Sequence, residues 1–369
     1  MSRPVPTPIA DRPGIGVVGC GVIAGSYLTW IKATYPDRLH PLVCFDVDAA
    51  KRDQIADRFG LQAEATLEGL LARPDVEVIL NLTNPAAHAE VTLASLRAGK
   101  HVYTEKPLAL NLQDADRIVE EARRLGLQVT GAPSVMFGAP QRTLWRLVRE
   151  GRLGAVHECY LNAVCAGHEL WHPNPRYYYQ EGAGPVLDLG VYPLTVSTTI
   201  LGPIRRVWGQ ADIAIPERLI HTGPNKGTRF PVEVPDRVTA MLAFESGATG
   251  TLHASFAVAG STVPALELHG TEASAHLTDW QNFGAKVRLK PRAGGDWQEV
   301  ALPGPEEAPN WSRSVVDLTD AAREGRLPRC SGEHARHTLE VMLGILESAR
   351  AGGAPVDITR RFTPPPPLD

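Results

Sequence analysis

Short apolar runs alternate with helical patterns over the first 134 residues of the chain. The apolar runs predict strands at 15–20, 41–48, 76–83, 101–104 and 127–132. Apolar positions three and four residues apart predict the intervening helices, at 22–35, 49–60, 88–99 and 111–126. Strands that are apolar throughout and separated by helices are typical of a parallel sheet covered on both faces. Residues 1–134 are therefore predicted to form a doubly wound α/β domain.

The pattern changes after residue 150. Residues 238–258 alternate between apolar and polar positions and turn at Ser246-Gly247, which predicts a β-hairpin. Further short strands are predicted at 265–270, 274–280, 286–290 and 297–302, and helices at about 139–151, 184–201, 310–325 and 332–352. Residues 135–369 are predicted to form an α+β domain with an open, mainly antiparallel sheet. The helix at 332–352 is expected to pack back on the first domain.

Composition narrows the function classes. The net charge is −4 and no run of Lys or Arg stands out, which argues against a nucleic-acid or anionic membrane partner. No stretch approaches the roughly 18 apolar residues of a membrane helix, and the N-terminal prolines do not fit a signal peptide. Five cysteines without CxxC spacing indicate reduced thiols in a cytoplasmic protein, not a disulfide framework or a zinc site.

A glycine motif, Gly19-x-Gly21-x-x-Ala24, follows the first predicted strand directly. Its glycines permit a tight turn and let backbone N–H groups, with Val22 and Ile23 next in line, approach a pyrophosphate at the start of a helix. Asp46 ends the second strand, where a carboxylate accepts hydrogen bonds from adenosine ribose hydroxyls and repels a 2′-phosphate. The motif predicts a dinucleotide site that favours NAD, with NADP left open by nearby Lys51 and Arg52.

Two further motifs end parallel strands, at the edge where open α/β sheets bind ligands. Thr83-Asn84-Pro85 with His88 follows the third strand, and Thr104-Glu105-Lys106-Pro107 follows the fourth. In the second domain, DLGVYPL (188–194) places Asp188 and Tyr192 four residues apart, on one face if the segment is helical.

The tetrapeptide TEKP together with GAGPVLDLGVYPL (182–194) resembles the glucose–fructose oxidoreductase/inositol dehydrogenase (Gfo/Idh/MocA) family. The resemblance extends to the aromatic block, Trp171 to Pro175 and Tyr177 to Tyr179, and to Leu201-Gly202-Pro203. It implies an N-terminal Rossmann domain, a C-terminal domain whose sheet joins subunits into a homo-oligomer (dimer or tetramer), and a cis bond at Lys106-Pro107. The implied cofactor-binding residues are Gly19, Gly21, Val22, Ile23, Asp46, Thr83, Asn84, Pro85, His88, Glu105 and Lys106.

The implied reaction is hydride transfer between NAD(P) and a secondary carbinol of a sugar, glycoside or cyclitol. Two alternatives stay open. A tightly bound NAD could serve redox-assisted glycoside cleavage or sugar–sugar oxidoreduction, and some relatives are non-catalytic regulators that bind NAD.

The proposed catalytic residues are Lys106, Asp188 and Tyr192. Tyr192 stands where many family members have a catalytic histidine. A phenol has an ordinary pKa of about 10, so a neighbouring ammonium such as Lys106 would be needed to lower it. Either this couple takes the carbinol proton, with Asp188 orienting it, or Tyr192 only binds substrate while Lys106 handles the proton.

The loop 167–182 is rich in aromatic residues, whose faces pack on the C–H surfaces of sugars. The candidate substrate residues are Trp171, His172, Tyr179, Asp188 and Tyr192, and an anchoring role for the loop aromatics is the alternative. The remaining histidines, His168 among them, show no spacing with carboxylates that demands a metal, so no metal is predicted.

Overall fold

The computed structural model describes residues 9–281, 284–304 and 310–366, which divide into two compact units. The first unit holds the chain up to Ser134 together with Asn310–Arg336, and the second holds the rest. The segment 310–336, which the sequence pattern placed with the second domain, thus groups with the first unit. The division falls inside the long helix Gly332–Arg350.

The first unit is built on a six-stranded parallel sheet with strand order β3-β2-β1-β4-β5-β6. Its elements are β1 Gly14–Val18, α1 Val22–Thr34, β2 His40–Phe45, α2 Ala49–Phe59, β3 Gln62–Ala63, α3 Leu67–Leu71, β4 Val78–Asn81, α4 His88–Arg97, β5 His101–Thr104, α5 Leu112–Leu125 and β6 Val129–Gly131. The doubly wound parallel fold predicted from the pattern is confirmed.

Local sequence explains where these helices begin and end. The Asp48 carboxylate accepts the Ala50 and Lys51 N–H groups at the start of α2, and Asn111 accepts the Asp114 N–H at the start of α5. Gly60 and Gly126 end the same two helices in the left-handed conformation. The only described elements of the sheet region that the pattern did not predict are the short β3 and α3.

The second unit contains a nine-stranded sheet of order β16-β15-β14-β13-β7-β12-β11-β8-β17. Its elements and α8, which belongs to the first unit, are α6 Ala139–Arg149, β7 Val156–Val164, α7 Val191–Leu201, β8 Ile204–Asp212, β9 Glu217–Leu219, β10 Arg229–Pro231, β11 Arg237–Phe244, β12 Thr249–Ser255, β13 Leu266–Gly270, β14 Ala273–Leu277, β15 Val287–Pro291, β16 Gln298–Glu299, α8 Arg313–Glu324, α9 Gly332–Arg350 and β17 Val356–Asp357. Among these strands β7 and β12 run parallel and the other neighbours in the sheet run antiparallel.

The mainly antiparallel second sheet is confirmed, and so are the hairpin at Ser246-Gly247 and the run of short strands after it. The predicted helix at 184–201 differs in one respect. It begins as a turn of π-helix, Val186–Gly190, and continues as α7, whose residues are nearly all buried. Asp188 therefore lies in the wider turn of a π-helix. Single π-helical turns of this kind are frequent at functional sites.

Candidate active site

The glycine motif forms a turn that accepts no side chain at its first position. Gly19 has a φ of +96°, and a Cβ built there would lie 2.6 Å from the backbone of Leu82 and Thr83. Gly21 has ordinary backbone angles, and a Cβ there would meet none of the described atoms within 4 Å. Within the described structure α1 also starts without a side-chain cap. The turn thus offers backbone amides and the positive end of a helix to an anion, and Gly21 leaves room for it.

Asp46 is held at the end of β2 by backbone donors. Its Oδ2 accepts the Cys20 N–H at 2.7 Å and its Oδ1 accepts the Asp48 N–H at 2.8 Å. Val22 at the start of α1 and Val47, which follows Asp46 in the chain, are 96% and 95% exposed. An oriented carboxylate flanked by open apolar surface fits the adenosine end of a dinucleotide.

His88 joins the two motifs that end β4 and β5. Its Nδ1 lies 2.6 Å from the Pro107 carbonyl oxygen and its Nε2 lies 3.1 Å from that of Thr83. Burial lowers the pKa of His88, and the two carbonyl contacts, which favour the charged ring, oppose that shift. The His88 ring is buried with its two nitrogens against backbone carbonyl oxygens, so it connects the loops that follow β4 and β5.

Asn81, the last residue of β4, fixes the loop that follows this strand. Its side-chain amide donates to the His88 carbonyl and the Thr92 hydroxyl, and its Oδ1 accepts the Thr83 hydroxyl at 2.7 Å. Asn84 and Pro85 follow in a short 3₁₀ turn that leads into α4.

A buried set of hydroxyl groups anchors Glu105. Tyr27 donates to Glu105 Oε1 at 2.6 Å, and the Tyr103 hydroxyl lies 2.5 Å from that of Tyr27. Burial, together with the Glu105 charge, raises the pKa of both tyrosines, so both remain neutral phenols. Glu105 Oε2 accepts the Lys106 N–H at 3.0 Å, and the Lys106-Pro107 bond is cis as the sequence resemblance implied. The hydrogen bond to the anchored Glu105 carboxylate thus fixes the backbone at Lys106.

In the second unit, the structure pairs Asp188 with a histidine from the aromatic loop. His168 Nε2 lies 2.6 Å from Asp188 Oδ2, and the two side chains are largely buried. The imidazole ring packs against Tyr178, Phe256 and Trp171, with centroids 3.9, 4.6 and 5.4 Å away.

Tyr179 lies on the inner side of the same loop. It is fully buried and its hydroxyl donates to Glu169 while accepting the His168 N–H. The sequence made Tyr179 a candidate for contact with substrate. In the structure its hydroxyl is occupied by the protein and its ring packs on Phe230 and Phe256, so it anchors the loop.

Glu169 itself belongs to a buried ionic cluster. Arg218 donates to Glu169 at 2.8 Å and to Asp236 at 2.5 Å, and all three side chains are almost inaccessible. The Gly167 backbone has a φ of +116°, and a Cβ there would collide with the Glu169 carboxylate. The loop therefore reverses at a glycine so that Glu169 can turn inward.

The outer side of the loop is exposed. Trp171 and Tyr177 are 59% and 46% accessible, and His172 contacts both rings edge-on. Burial lowers the pKa of His172, so it is a neutral imidazole near pH 7.

Tyr192 lies in α7 with its ring stacked on Trp280 at 4.7 Å between centroids. The Gln281 amide donates to its hydroxyl at 3.4 Å. Trp280 is held in turn by its indole N–H, which donates to the Asn162 carbonyl.

Sequence reasoning missed the pairing of His168 with Asp188, the Glu169–Arg218–Asp236 cluster, Trp280 and Gln281. His168 and Glu169 lie directly after Gly167, in a loop that the sequence already singled out. Arg218 and Trp280 are far along the chain, and no spacing connects them to Asp188 or Tyr192. Among the described residues, no group of three or more His, Cys, Asp or Glu side chains is arranged to hold a metal ion. No helix in the described ranges is long and apolar enough to cross a membrane.

Comparison with known proteins agrees with this organisation. Residues 14–132 match the model of an oxidoreductase family with an NAD-binding Rossmann fold, and residues 141–276 match that of a GFO/IDH/MocA C-terminal domain. A 1,5-anhydro-D-fructose reductase of Ensifer adhaerens is 27% identical over 92% of this chain and 97% of its own. A myo-inositol 2-dehydrogenase of Thermotoga maritima is 25% identical over 64% of this chain and 67% of its own.

A solved levoglucosan dehydrogenase, in complex with NADH and L-sorbose, has the same fold. It superposes with a TM-score of 0.82 at 21% identity and covers 95% of this chain and 99% of its own. The two family models together span more than half of the chain. The chain therefore belongs to the Gfo/Idh/MocA family of NAD-binding oxidoreductases.

Proposed function

We propose that this protein oxidises or reduces a secondary carbinol of a sugar, glycoside or cyclitol, with NAD as its cofactor. The observation that carries the substrate class is the aromatic loop of the second unit. It exposes the Trp171 and Tyr177 rings, while the His168 side of the same loop is bonded to Asp188. Exposed rings suit the C–H face of a sugar, and a carboxylate suits its hydroxyl groups. The names of relatives, a 1,5-anhydro-D-fructose reductase and a myo-inositol 2-dehydrogenase, support the same class.

The residues proposed to hold the cofactor are those of the glycine turn, Asp46 and the ends of β4 and β5. When bound, the nicotinamide supplies the hydride acceptor or donor. The protein must then accept the hydroxyl proton of the carbinol, and Lys106, Asp188 and Tyr192 are the proposed proton-handling residues. The Lys106 ammonium stabilises a developing alkoxide, Asp188 orients the hydroxyl, and the Tyr192 phenol binds it or takes its proton.

Lys106→Met is expected to lower kcat about a hundredfold, because it removes the ammonium and keeps a side chain of similar length. The measurement is the absorbance of reduced nicotinamide, with a panel of sugars, glycosides and polyols supplied with NAD or NADP. Lys290→Met, which removes an exposed ammonium from β15, is the matched control and is expected to turn over like the wild type. A kcat for Lys106→Met within about threefold of wild type would contradict the assignment.

We propose NAD over NADP because Asp46 is fixed as a carboxylate beside the glycine turn. Asp46→Asn is expected to shift the ratio of NADH to NADPH affinities at least about tenfold toward NADPH, since the repulsion of a 2′-phosphate is removed. Nucleotide fluorescence titrations at fixed ionic strength measure both constants. Asp57→Asn, which removes the same charge from the exposed side of α2, should leave the ratio unchanged. An unchanged ratio in Asp46→Asn would show that another group selects the cofactor.

We also propose self-association through the nine-stranded sheet. On one face of this sheet Thr239, Met241 and His253 are exposed, forming a strip on the neighbouring strands β11 and β12. The five cysteines are free thiols, which suits a reducing compartment such as the cytoplasm.

A further inference from the structure

His168 is the imidazole that the structure brings to Asp188. The contact joins Nε2 to Oδ2 at 2.6 Å, which is the length of a charge-assisted hydrogen bond. Asp188 lies in the π-helical turn before α7, and His168 lies in the aromatic loop 20 residues earlier. The pair therefore connects the loop that exposes Trp171 and Tyr177 to the carboxylate of the proposed reaction.

The surroundings of His168 select one tautomer. Its Nδ1 is buried and has no hydrogen-bond partner among the described residues. A proton on Nδ1 would thus be buried without an acceptor, whereas a proton on Nε2 has the Asp188 carboxylate. The arrangement favours a neutral imidazole that carries its hydrogen on Nε2 and donates it to Asp188.

The ring cannot easily turn away from this contact. It packs against Tyr178 and Phe256, and the His168 backbone N–H donates to the Tyr179 hydroxyl at 3.1 Å. Tyr179 is tied through Glu169 to Arg218, so the ionic cluster of the loop also fixes the backbone of His168. A donor held this firmly acts on Asp188 by restricting both its rotamer and its protonation state.

We propose that His168 is a positioning residue that keeps Asp188 ionised and directs its carboxylate toward the substrate hydroxyl. This inference rests on the proposed function, because it is a reacting carbinol that gives the orientation of Asp188 its purpose. His168 neither gains nor loses a proton in the cycle. Its N–H remains on Nε2 while the hydroxyl proton passes to the proton-handling residues named above.

A hydrogen bond to the charged form lowers the pKa of a carboxyl group. Loss of the His168 donor is therefore expected to raise the pKa of Asp188. The acid limb of kcat/KM, below which Asp188 is protonated, then moves to higher pH.

Titratable and charged groups around the pair include Cys165, His172, Tyr178, Glu169 and Arg218. Burial, with a contribution from Asp188, raises the pKa of Cys165 to about 11, so this thiol does not titrate on the acid limb. Burial lowers the pKa of His172. Glu169 and Arg218 form their own buried pair. Because His172 is unchanged in both variants below, a difference between them isolates the His168 donor.

The test compares His168→Phe, which keeps an aromatic ring but no donor, with His168→Gln, whose amide N–H can reach the position of Nε2. In His168→Phe the acid limb of kcat/KM should move up by about one pH unit, so that kcat/KM at pH values below the limb falls about tenfold. His168→Gln should restore most of the limb position. NADH affinity should stay within about twofold of wild type in both variants. An equal loss of rate at every pH, or a Gln variant no better than Phe, would overturn the inference.

A second measurement does not depend on turnover. The carboxyl carbon of Asp188 is titrated by ¹³C NMR, assigned by its absence in Asp188→Asn, and ¹⁵N NMR reports the His168 tautomer in the wild type. We expect the Asp188 pKa to rise in His168→Phe and the wild-type imidazole to carry its hydrogen on Nε2. An unmoved carboxyl titration, or a hydrogen on Nδ1, overturns the inference whatever the substrate. A raised Asp188 pKa in a protein that turns over no carbinol of the panel supports the inference and sinks only the proposed function. If His168→Phe does not fold, the wild-type tautomer and the Gln variant still decide.

Discussion

Arg218→Met is expected to lower the free energy of unfolding by about 3–5 kcal/mol, because it leaves two carboxylates buried without their cation. Glu169 and Asp236 both receive hydrogen bonds from the Arg218 guanidinium, and all three side chains are almost inaccessible to solvent. Methionine fills much of the volume of arginine but cannot donate to either acid. Urea unfolding followed by circular dichroism measures the loss.

Arg229→Met is the matched control, on the strand paired with that of Arg218. Arg229 bridges Glu217 at 2.8 Å, but these side chains are 64% and 55% exposed. An exposed pair of this kind contributes about 0–1 kcal/mol, so this variant is expected to unfold nearly like the wild type. Equal losses of unfolding free energy in the two variants would show that the buried cluster stabilises the fold no more than the exposed ion pair does.

The Arg218→Met deficit should also depend on pH. Without the guanidinium, the two carboxylates are buried charges with no cation, and proton binding by the folded variant relieves this cost. Stability then rises as pH falls, and the deficit relative to wild type is expected to shrink toward about pH 5. Glu169 is next to His168 in the chain, so a loosened cluster is expected to disturb the contact between His168 and Asp188. Turnover of Arg218→Met should therefore fall at urea concentrations below those that unfold this variant.

The elements of the first unit could be predicted because their signals are local. β5, His101–Thr104, consists of four consecutive buried residues and lies at the predicted positions. Asn111 caps α5, and Gly60 ends α2, through contacts within four residues along the chain. β7 and β8 were not predicted, although their buried positions alternate with exposed or charged residues such as Glu158 and Arg205 in the way that indicates a strand.

The helix at 184–201 shows a limit of pattern reasoning. Residues i and i+4 lie near one face in both an α-helix and a π-helix, so the spacing of Asp188 and Tyr192 cannot separate the two. The structure places the first residue in a π turn, bonded to His168, and the second in α7, stacked on Trp280. The sequence identified both as candidate site residues but could not name these neighbours.

Burial within the aromatic loop was equally hidden. Trp171, Tyr177 and Tyr179 are close in sequence and similar in chemistry. Tyr179 is nevertheless fully buried because Glu169, turned inward toward Arg218, accepts its hydroxyl, and Arg218 comes from a strand almost 50 residues later. Long-range partners of this kind leave no periodic trace, so the loop could be identified but its inner and outer sides could not.

Gly19→Ala is expected to reduce stability by on the order of 3 kcal/mol and to abolish measurable NADH binding. The residue would have to adopt a φ of +96° and bring a Cβ to 2.6 Å from the Leu82 carbonyl group and the Thr83 nitrogen. Both neighbours are backbone atoms, so β4 and the Thr83 loop must move to relieve the clash. That movement would disturb the contacts of Asn81 and His88 that hold the loop. Thermal unfolding and a nucleotide fluorescence titration on the same samples measure the two effects.

Two other glycines separate the causes. Gly60 also has a positive φ, but a Cβ there would meet no described atom within 4 Å, so Gly60→Ala isolates the conformational strain at about 1 kcal/mol. A Cβ on Gly21 likewise meets no described atom, and its backbone is ordinary, so Gly21→Ala should unfold like the wild type. Gly21→Ala is still expected to weaken NADH binding at least tenfold, because its methyl group occupies the space left for the pyrophosphate. Wild-type stability in Gly19→Ala would contradict the clash with Leu82 and Thr83, and wild-type NADH affinity in Gly21→Ala would show that the cofactor does not lie against this turn as proposed.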